Sequence, residues 1–147
     1  MTFIGISTKM ISAIVVTHGR LAQEFIATAQ KIYGNVKGVY AVSNDDHTPQ
    51  TLASEIDTII ELAGHDDAFI IMVDFLGGSC GHATLSVERR RRNVRIVSGV
   101  NLPMLIKLAQ AQVDPSQDLA GVARMVRESG QSSIYRASDL LAPKNRA

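Results

Sequence analysis

The chain predicts an α/β domain with a mostly parallel central sheet and helices on both faces. Three observations carry that expectation. Short apolar, β-branched runs alternate four times with longer segments whose apolar residues recur at helical spacing. The 147 residues, 46% hydrophobic and 20% charged, supply one domain with a buried core. No linker-like, repeated or low-complexity stretch interrupts the alternation.

Each element has its own local reason. Ser12 to Thr17 is short and β-branched, as a buried strand should be. Leu21, Phe25, Ala29 and Ile32 then mark one face of a helix that Gly34 stops. Val39 to Val42 forms a second strand, ended by the turn-forming Ser43-Asn44-Asp45-Asp46. Thr48 is an N-cap hydroxyl and Pro49 suits the first helical position. Leu52, Ile56, Ile59, Ile60 and Ala63 give that helix its buried face, and Gly64 ends it. Ala68 to Val73 is the most apolar run, a strand covered on both faces that stops at Asp74. A helix over Ser79 to Arg90 follows Gly77-Gly78, then a strand over Val94 to Val97. Leu102 to Ala111 and Asp118 to Glu128 close the domain as helices, and Ile134-Tyr135 reads as a short last strand. The expected limits are an extension over 1–11, the domain over 12–137 and a polar tail over 138–147.

Composition excludes several classes of function. Fifteen basic residues against fourteen acidic leave a formal charge of +1, without the basic surplus of a nucleic-acid binder. Aromatics are 5% and Trp is absent, so base-stacking platforms are poorly supplied. Cys80 stands alone, which rules out an intrachain disulfide and leaves a cysteine-based zinc site short of ligands. Neither a membrane span nor a signal-peptide pattern is present, and a cytoplasmic protein is expected.

In parallel α/β sheets ligands bind beyond the carboxyl ends of the strands. Thr17-His18-Gly19, Asp74 to Ser79 and Ser98 to Asn101 follow three strands and should converge on one edge. Gly19 lets the chain turn tightly beside His18, next to a helix N-terminus suited to an anion. Asp74 adjoins His18 if the first and third strands are neighbours. There a carboxylate on one ring nitrogen fixes the tautomer and frees the other as nucleophile or base. Gly77, Gly78 and Ser79 offer amides and a hydroxyl to a phosphate-like group, although no Walker lysine follows. Taken singly, each is more often a turn, cap or exposed residue; their shared edge is the signal.

The remaining candidates carry less. His47 lies in a polar turn and His65 in a helix-ending loop. His82 is close enough in sequence to Ser79 to be a partner contact. Cys80 reads as a packed residue, although a helix N-terminus would lower its pKa. Arg89, Arg90, Arg91 and Arg92 form a basic run that favours the helix dipole, or docks a partner through Arg89 and Arg90. No spacing of His and acidic residues suggests a metal site.

The pieces Ala13-Ile14-Val15-Val16-Thr17-His18-Gly19, Met72 to Ser79 and Gly99 to Leu105 together resemble the mannose-family enzyme IIA domain of the bacterial phosphoenolpyruvate-dependent sugar phosphotransferase system. The likeness runs from about Ser12 to Tyr135. It implies a sheet ordered 2-1-3-4 and a homodimer that exchanges a final antiparallel strand, with Ser133 to Ala137 as the counterpart here. It implies that His18 takes a phosphoryl group from the phosphocarrier HPr and passes it to a IIB protein, with Asp74 on the other ring nitrogen. Gly19, Gly78 and Ser79 would then hold phosphoryl oxygens, with neither metal nor cofactor, and any membrane association would be indirect, through a permease complex.

Two departures from that family stand out. Leu76 replaces a common Trp, and Cys80-Gly81-His82 follows Ser79 in place of Ser-Pro. With no IIB domain or linker in the sequence, a free subunit is expected. An alternative stays open, a regulatory module in which the phosphorylation state of His18 controls a partner without sugar transport. The phosphocarrier subunit of dihydroxyacetone kinase is a related possibility that Gly99 to Met104 disfavours. A hydrolase built on His18 and Asp74 would lack a nucleophile and a closed pocket.

Overall fold

The fold is given by a computed structural model that describes residues 10–64 and 67–141. Four parallel strands make the sheet: β1 (Ile11–Thr17), β2 (Val39–Ser43), β3 (Ala68–Val73) and β4 (Val94–Ser98), in the order β2-β1-β3-β4. Helices α1 (Leu21–Tyr33), α2 (Pro49–Ala63), α3 (Gly78–Arg90), α4 (Leu102–Ala111) and α5 (Leu119–Ser132) cover its faces. The expected sheet order and α/β class are those observed. His65 and the residues at 1–9 and 142–147 lie outside the described part. Of the expected extension, Ile11 is already the first residue of β1 and is buried.

Period-two alternation along β1 and β3 divides the core in two. Ile11, Ala13 and Val15 pack with Ile70 and Met72 beneath Ala22 and Ala29 of α1, Leu105 and Leu108 of α4 and Val126 of α5. Ile14 and Val16 face the other way, with Phe69, Ile71 and Val73, against Leu52, Ile56 and Ile60 of α2 and Ala83 and Val87 of α3. Every residue of β1 is buried. Each buried Val, Leu, Ile, Phe or Met side chain among these contributes about 1.5–3 kcal/mol of transfer free energy.

The helix starts follow their caps. Thr48 Oγ1 accepts from the Thr51 N–H at 3.2 Å while Thr51 Oγ1 accepts from the Thr48 N–H at 2.9 Å, a reciprocal box ahead of Pro49. Asn101 Oδ1 accepts from the Met104 N–H, and Asp118 Oδ1 from the Gly121 N–H. Across the second face, Asp57 of α2 accepts from Arg90 and Arg91, both at 2.8 Å, and Glu61 accepts from Arg91 at 3.0 Å. Half of the basic run therefore ties α3 to α2.

α5 continues four residues beyond Glu128. Gly130 does not stop it, because a small residue is what the crossing with α4 requires. The Gly130 carbonyl accepts from Asn101 Nδ2 at 3.1 Å, and a Cβ there would stand 2.7 Å from Met104 Cγ. We expect Gly130→Ala to destabilise the fold by about 1–3 kcal/mol through overpacking, read as a lower midpoint in chemical denaturation.

Ile134 and Tyr135, expected as a strand, are exposed and pair with none of the described strands. A single 3-10 turn, Ala137–Leu141, follows them.

Candidate functional site

Parallel register sets the site. Val16 lies opposite both Val42 and Val73, and Thr17 opposite Ser43. The residues next along, His18, Asn44 and Asp74, thus emerge together at the carboxyl edge. The Asn44 N–H donates to the Thr17 carbonyl at 2.7 Å, extending the ladder to that edge. The buried Thr17 hydroxyl accepts from the Ala22 N–H at 2.7 Å, supplying the cap that Arg20 does not give α1. Gly19 turns the chain at φ +57°, a conformation that suits glycine.

His18 and Asp74 meet as the sequence anticipated. One carboxylate oxygen, Asp74 Oδ2, accepts from the His18 backbone N–H at 3.0 Å and from the ring at Nδ1 at 2.9 Å. The other, Oδ1, accepts from the Phe75 N–H at 2.9 Å. Burial alone would raise the Asp74 pKa, but these donors outweigh it and hold the carboxyl below its usual range. An ionised carboxylate only accepts, so Nδ1 carries the proton and Nε2 the lone pair of the neutral ring. The His18 side chain is 46% exposed and that of Asp74 15%, so a half-exposed imidazole rests on a carboxylate that is largely inside.

Three neighbours escaped the sequence reading. Phe75 stacks on the imidazole, centroids 5.1 Å apart and planes 4° from parallel. The aromatic of this site is thus the residue before Leu76, whose lack of a ring was the point noticed. Asn44 Nδ2 donates to His18 Nε2 at 3.3 Å, and Asp45 Oδ1 accepts from the Gly19 N–H at 3.2 Å. Both come from the segment read only as a turn; its position after a strand on the functional edge was the available signal. Leu21, Phe75 and Leu76 leave exposed apolar surface on this part of the chain.

We expect Phe75→Ala to slow chemistry at His18 about 3- to 10-fold, the worth of a partly exposed aromatic stack. The kinetics of the His18 phosphorylation that the sequence resemblance implies would measure it beside the wild type, with thermal melting little changed because Phe75 is 57% exposed.

The other candidates are dispersed. Gly78, at φ +56°, and Ser79 open α3, whose N-cap Gly77 offers no side chain, so no side chain caps that end. Asn101 is occupied in capping α4 and bonding Gly130. His82 lines an open groove between α2 and α3 with Pro49, Ser54 and Arg90. His47 is not simply solvated, since Nε2 meets Glu55 at 2.6 Å and Nδ1 lies 3.1 Å from Thr51 Oγ1. Cys80 is fully buried, and burial followed by the charge of Asp74 pushes its thiol to about 11. The packed reading is therefore the one that holds. Arg89 and Arg90 sit at the far end of α3, about 20 Å of helix from its start. Among the described residues there is no cluster of three His, Cys, Asp or Glu side chains fit for a metal, and no helix long and apolar enough to cross a membrane.

Comparison with known proteins gives one consistent result. The family model EIIA-man, described as the PTS system fructose IIA component, matches residues 12–125. The PTS system sorbose-specific EIIA component of Klebsiella pneumoniae is 30% identical over 112 residues, 74% of this chain and 80% of that protein. The mannose-specific EIIAB component of Escherichia coli K12 is 26% identical over 129 residues, and the match spans 84% of this chain and 38% of that longer protein. Among solved structures, the mannose/sorbose specific IIA subunit from Enterococcus faecalis superposes with a TM-score of 0.71 at 25% identity, covering 86% of this chain and 94% of that one. A phosphotransferase system EIIA component from Streptococcus agalactiae, at 17% identity and a TM-score of 0.79, shares the fold.

Proposed function

This chain belongs to the mannose-type IIA family of the sugar phosphotransferase system, and on that premise we propose that it is a phosphocarrier using His18. It accepts a phosphoryl group from phospho-HPr on Nε2 and passes it to a IIB protein during sugar uptake. The observation that carries this reading is the Asp74 carboxylate on Nδ1, which leaves the lone pair on Nε2 of a half-exposed imidazole.

The chemistry asks little else of the protein, because phosphoryl transfer is mainly positioning and charge stabilisation. As the P–N bond to Nε2 forms, the donor's P–N bond breaks and its electron pair returns to the donor nitrogen. The Nδ1 proton stays on His18, and the positive charge gained by the ring is balanced by Asp74. Amides at Gly19 and Gly78 with the Ser79 hydroxyl hold the phosphoryl oxygens. Because Asp45 Oδ1 holds the Gly19 N–H in this structure, that carboxylate yields its place when the anion arrives. The uncapped start of α3 supports the part given to Gly78 and Ser79.

Both partners are proteins, and the exposed Leu21, Phe75 and Leu76 suit a shallow docking face shared in turn by HPr and IIB. The dimer belongs to the same proposal. Residues 133–137 of one subunit would add an antiparallel strand beside β4 of the other. That edge strand flanks an open groove of about 590 Å³ lined by Arg95, Ser98, Arg127 and Ile134. Relatives named for sorbose and mannose support sugar uptake as the pathway, with the carrier in the cytoplasm beside its donors.

The test is incubation with phosphoenolpyruvate, enzyme I and HPr, followed by intact mass. An acid-labile phosphoryl mass on the chain is expected. A wild-type chain that stays bare with its cognate phospho-HPr would overturn the carrier role.

A further inference from the structure

We propose that Asn44 is a further residue of the phosphoryl-transfer site, holding the Nε2 lone pair of His18 before reaction and a phosphoryl oxygen after it. The inference rests on the carrier reading above and adds a residue to it.

The geometry is two-sided. β3 brings Asp74 to Nδ1, and β2, on the opposite flank of β1, brings Asn44 to Nε2. With the proton on Nδ1, Nε2 can only accept, so the amide must present its NH2 group to the ring. The backbone fixes the same choice of place, since the Asn44 N–H is bound to the Thr17 carbonyl at the end of the ladder.

A second observation comes from the other end of the amide. Asn44 Oδ1 is the one buried side-chain oxygen or nitrogen atom without a hydrogen bond among the described residues. Leaving a buried acceptor unpaired is unfavourable. A turn residue chosen only for its conformation has no need to bury an amide in this way. Here the unpaired oxygen accompanies an N–H aimed at the reacting nitrogen.

Reaction changes the partner of that N–H. When Nε2 bonds to phosphorus, its lone pair is consumed and can no longer accept. The phosphoryl oxygens that arrive beside it carry negative charge, and a hydrogen bond to an ionised acceptor is roughly twice as strong as a neutral one. Asn44 therefore stabilises the phosphorylated form more than the free one and lengthens its life.

The test uses no partner protein. With histidine labelled in 15N, Asn44→Ala should shift the His18 Nε2 resonance toward that of an unbonded lone pair while the Nδ1–H signal toward Asp74 persists. Potassium phosphoramidate, a small-molecule donor, should then label His18 in wild type and variant alike. Phosphohistidine decay, followed by 31P signals, should be about tenfold faster in Asn44→Ala. Asn44→Asp, the same shape without the donor and with added negative charge, should decay faster still. A variant lifetime within about twofold of wild type overturns the assignment whatever the ring nitrogens show. So does a wild-type His18 that phosphoramidate cannot label. If phosphoramidate labels His18 but phospho-HPr does not, the carrier role fails and the Asn44 assignment stands on its own measurement.

Discussion

His18→Ala is expected to abolish phosphoryl uptake from phospho-HPr, a loss of at least about 1000-fold given that nucleophile and acceptor are the same atom. Nothing nearby can substitute. The Cys80 thiol is buried and pushed to about 11, so it stays protonated at neutral pH. His47 is engaged by Glu55, and His82 opens into a different groove. The fold should survive, because the imidazole is half exposed and Asp74 keeps the backbone N–H groups of residue 18 and Phe75 as donors. Intact mass after the phosphoenolpyruvate reaction, beside circular dichroism, separates the two effects. Phosphoryl uptake by the variant at the wild-type level would remove His18 from the mechanism.

Asp74 should give the second largest effect, and it should divide between rate and stability. Asp74→Asn retains an oxygen but loses the charge that balances the ring as the P–N bond forms, and a hydrogen bond to a charged group is worth about 1.5–3 kcal/mol. Phosphorylation of His18 should accordingly fall about 10- to 100-fold. Asp74→Ala also strands the His18 and Phe75 N–H donors and should cost about 1–3 kcal/mol of folding stability.

The pH dependence has a definite sign. The folded-state pKa of Asp74 is depressed below the ordinary value of 3.8: burial opposes this, and the His18 and Phe75 donors outweigh it. A depressed carboxyl contributes stability above its unfolded pKa and loses it as pH falls through the folded one. The stability gap between wild type and Asp74→Asn should therefore be full at neutral pH and close in acid below about 3.8. A gap that widened on acidification would contradict the assigned bonding.

Much of the architecture was legible in local pattern. Thr48-Pro49 marks the start of α2 by capping chemistry that operates within four residues, and β3 declares itself by an apolar run that only a doubly covered strand tolerates. His18 and Asp74 were legible because each is the first polar residue after an apolar strand. Parallel α/β geometry sends such positions to one edge. Asn44 and Phe75 were not. A turn-rich segment explains Asn44 without any ligand, and an aromatic after an aspartate carries no sign of the ring it will lie on.

The basic run illustrates the same limit. Its charge is visible in sequence, but whether Arg90 and Arg91 meet solvent or Asp57 depends on how α2 and α3 pack. Gly130 is locally a poor helix former and yet lies inside α5 beside Met104, because helix propensity is a weaker constraint than the space between two crossing helices.

The alternation of strands and helices, the helix caps and the candidacy of His18 follow from short-range chemistry, which acts over a few residues and leaves its mark in their order. The proton on Nδ1, the lone pair presented at Nε2, the Phe75 stack and the pairing of Asn44 were decided only when β2, β1 and β3 aligned. Those relations join residues 26 to 57 positions apart, and a hydrogen bond or a stack exists only where packing has brought its two halves to within a few ångströms.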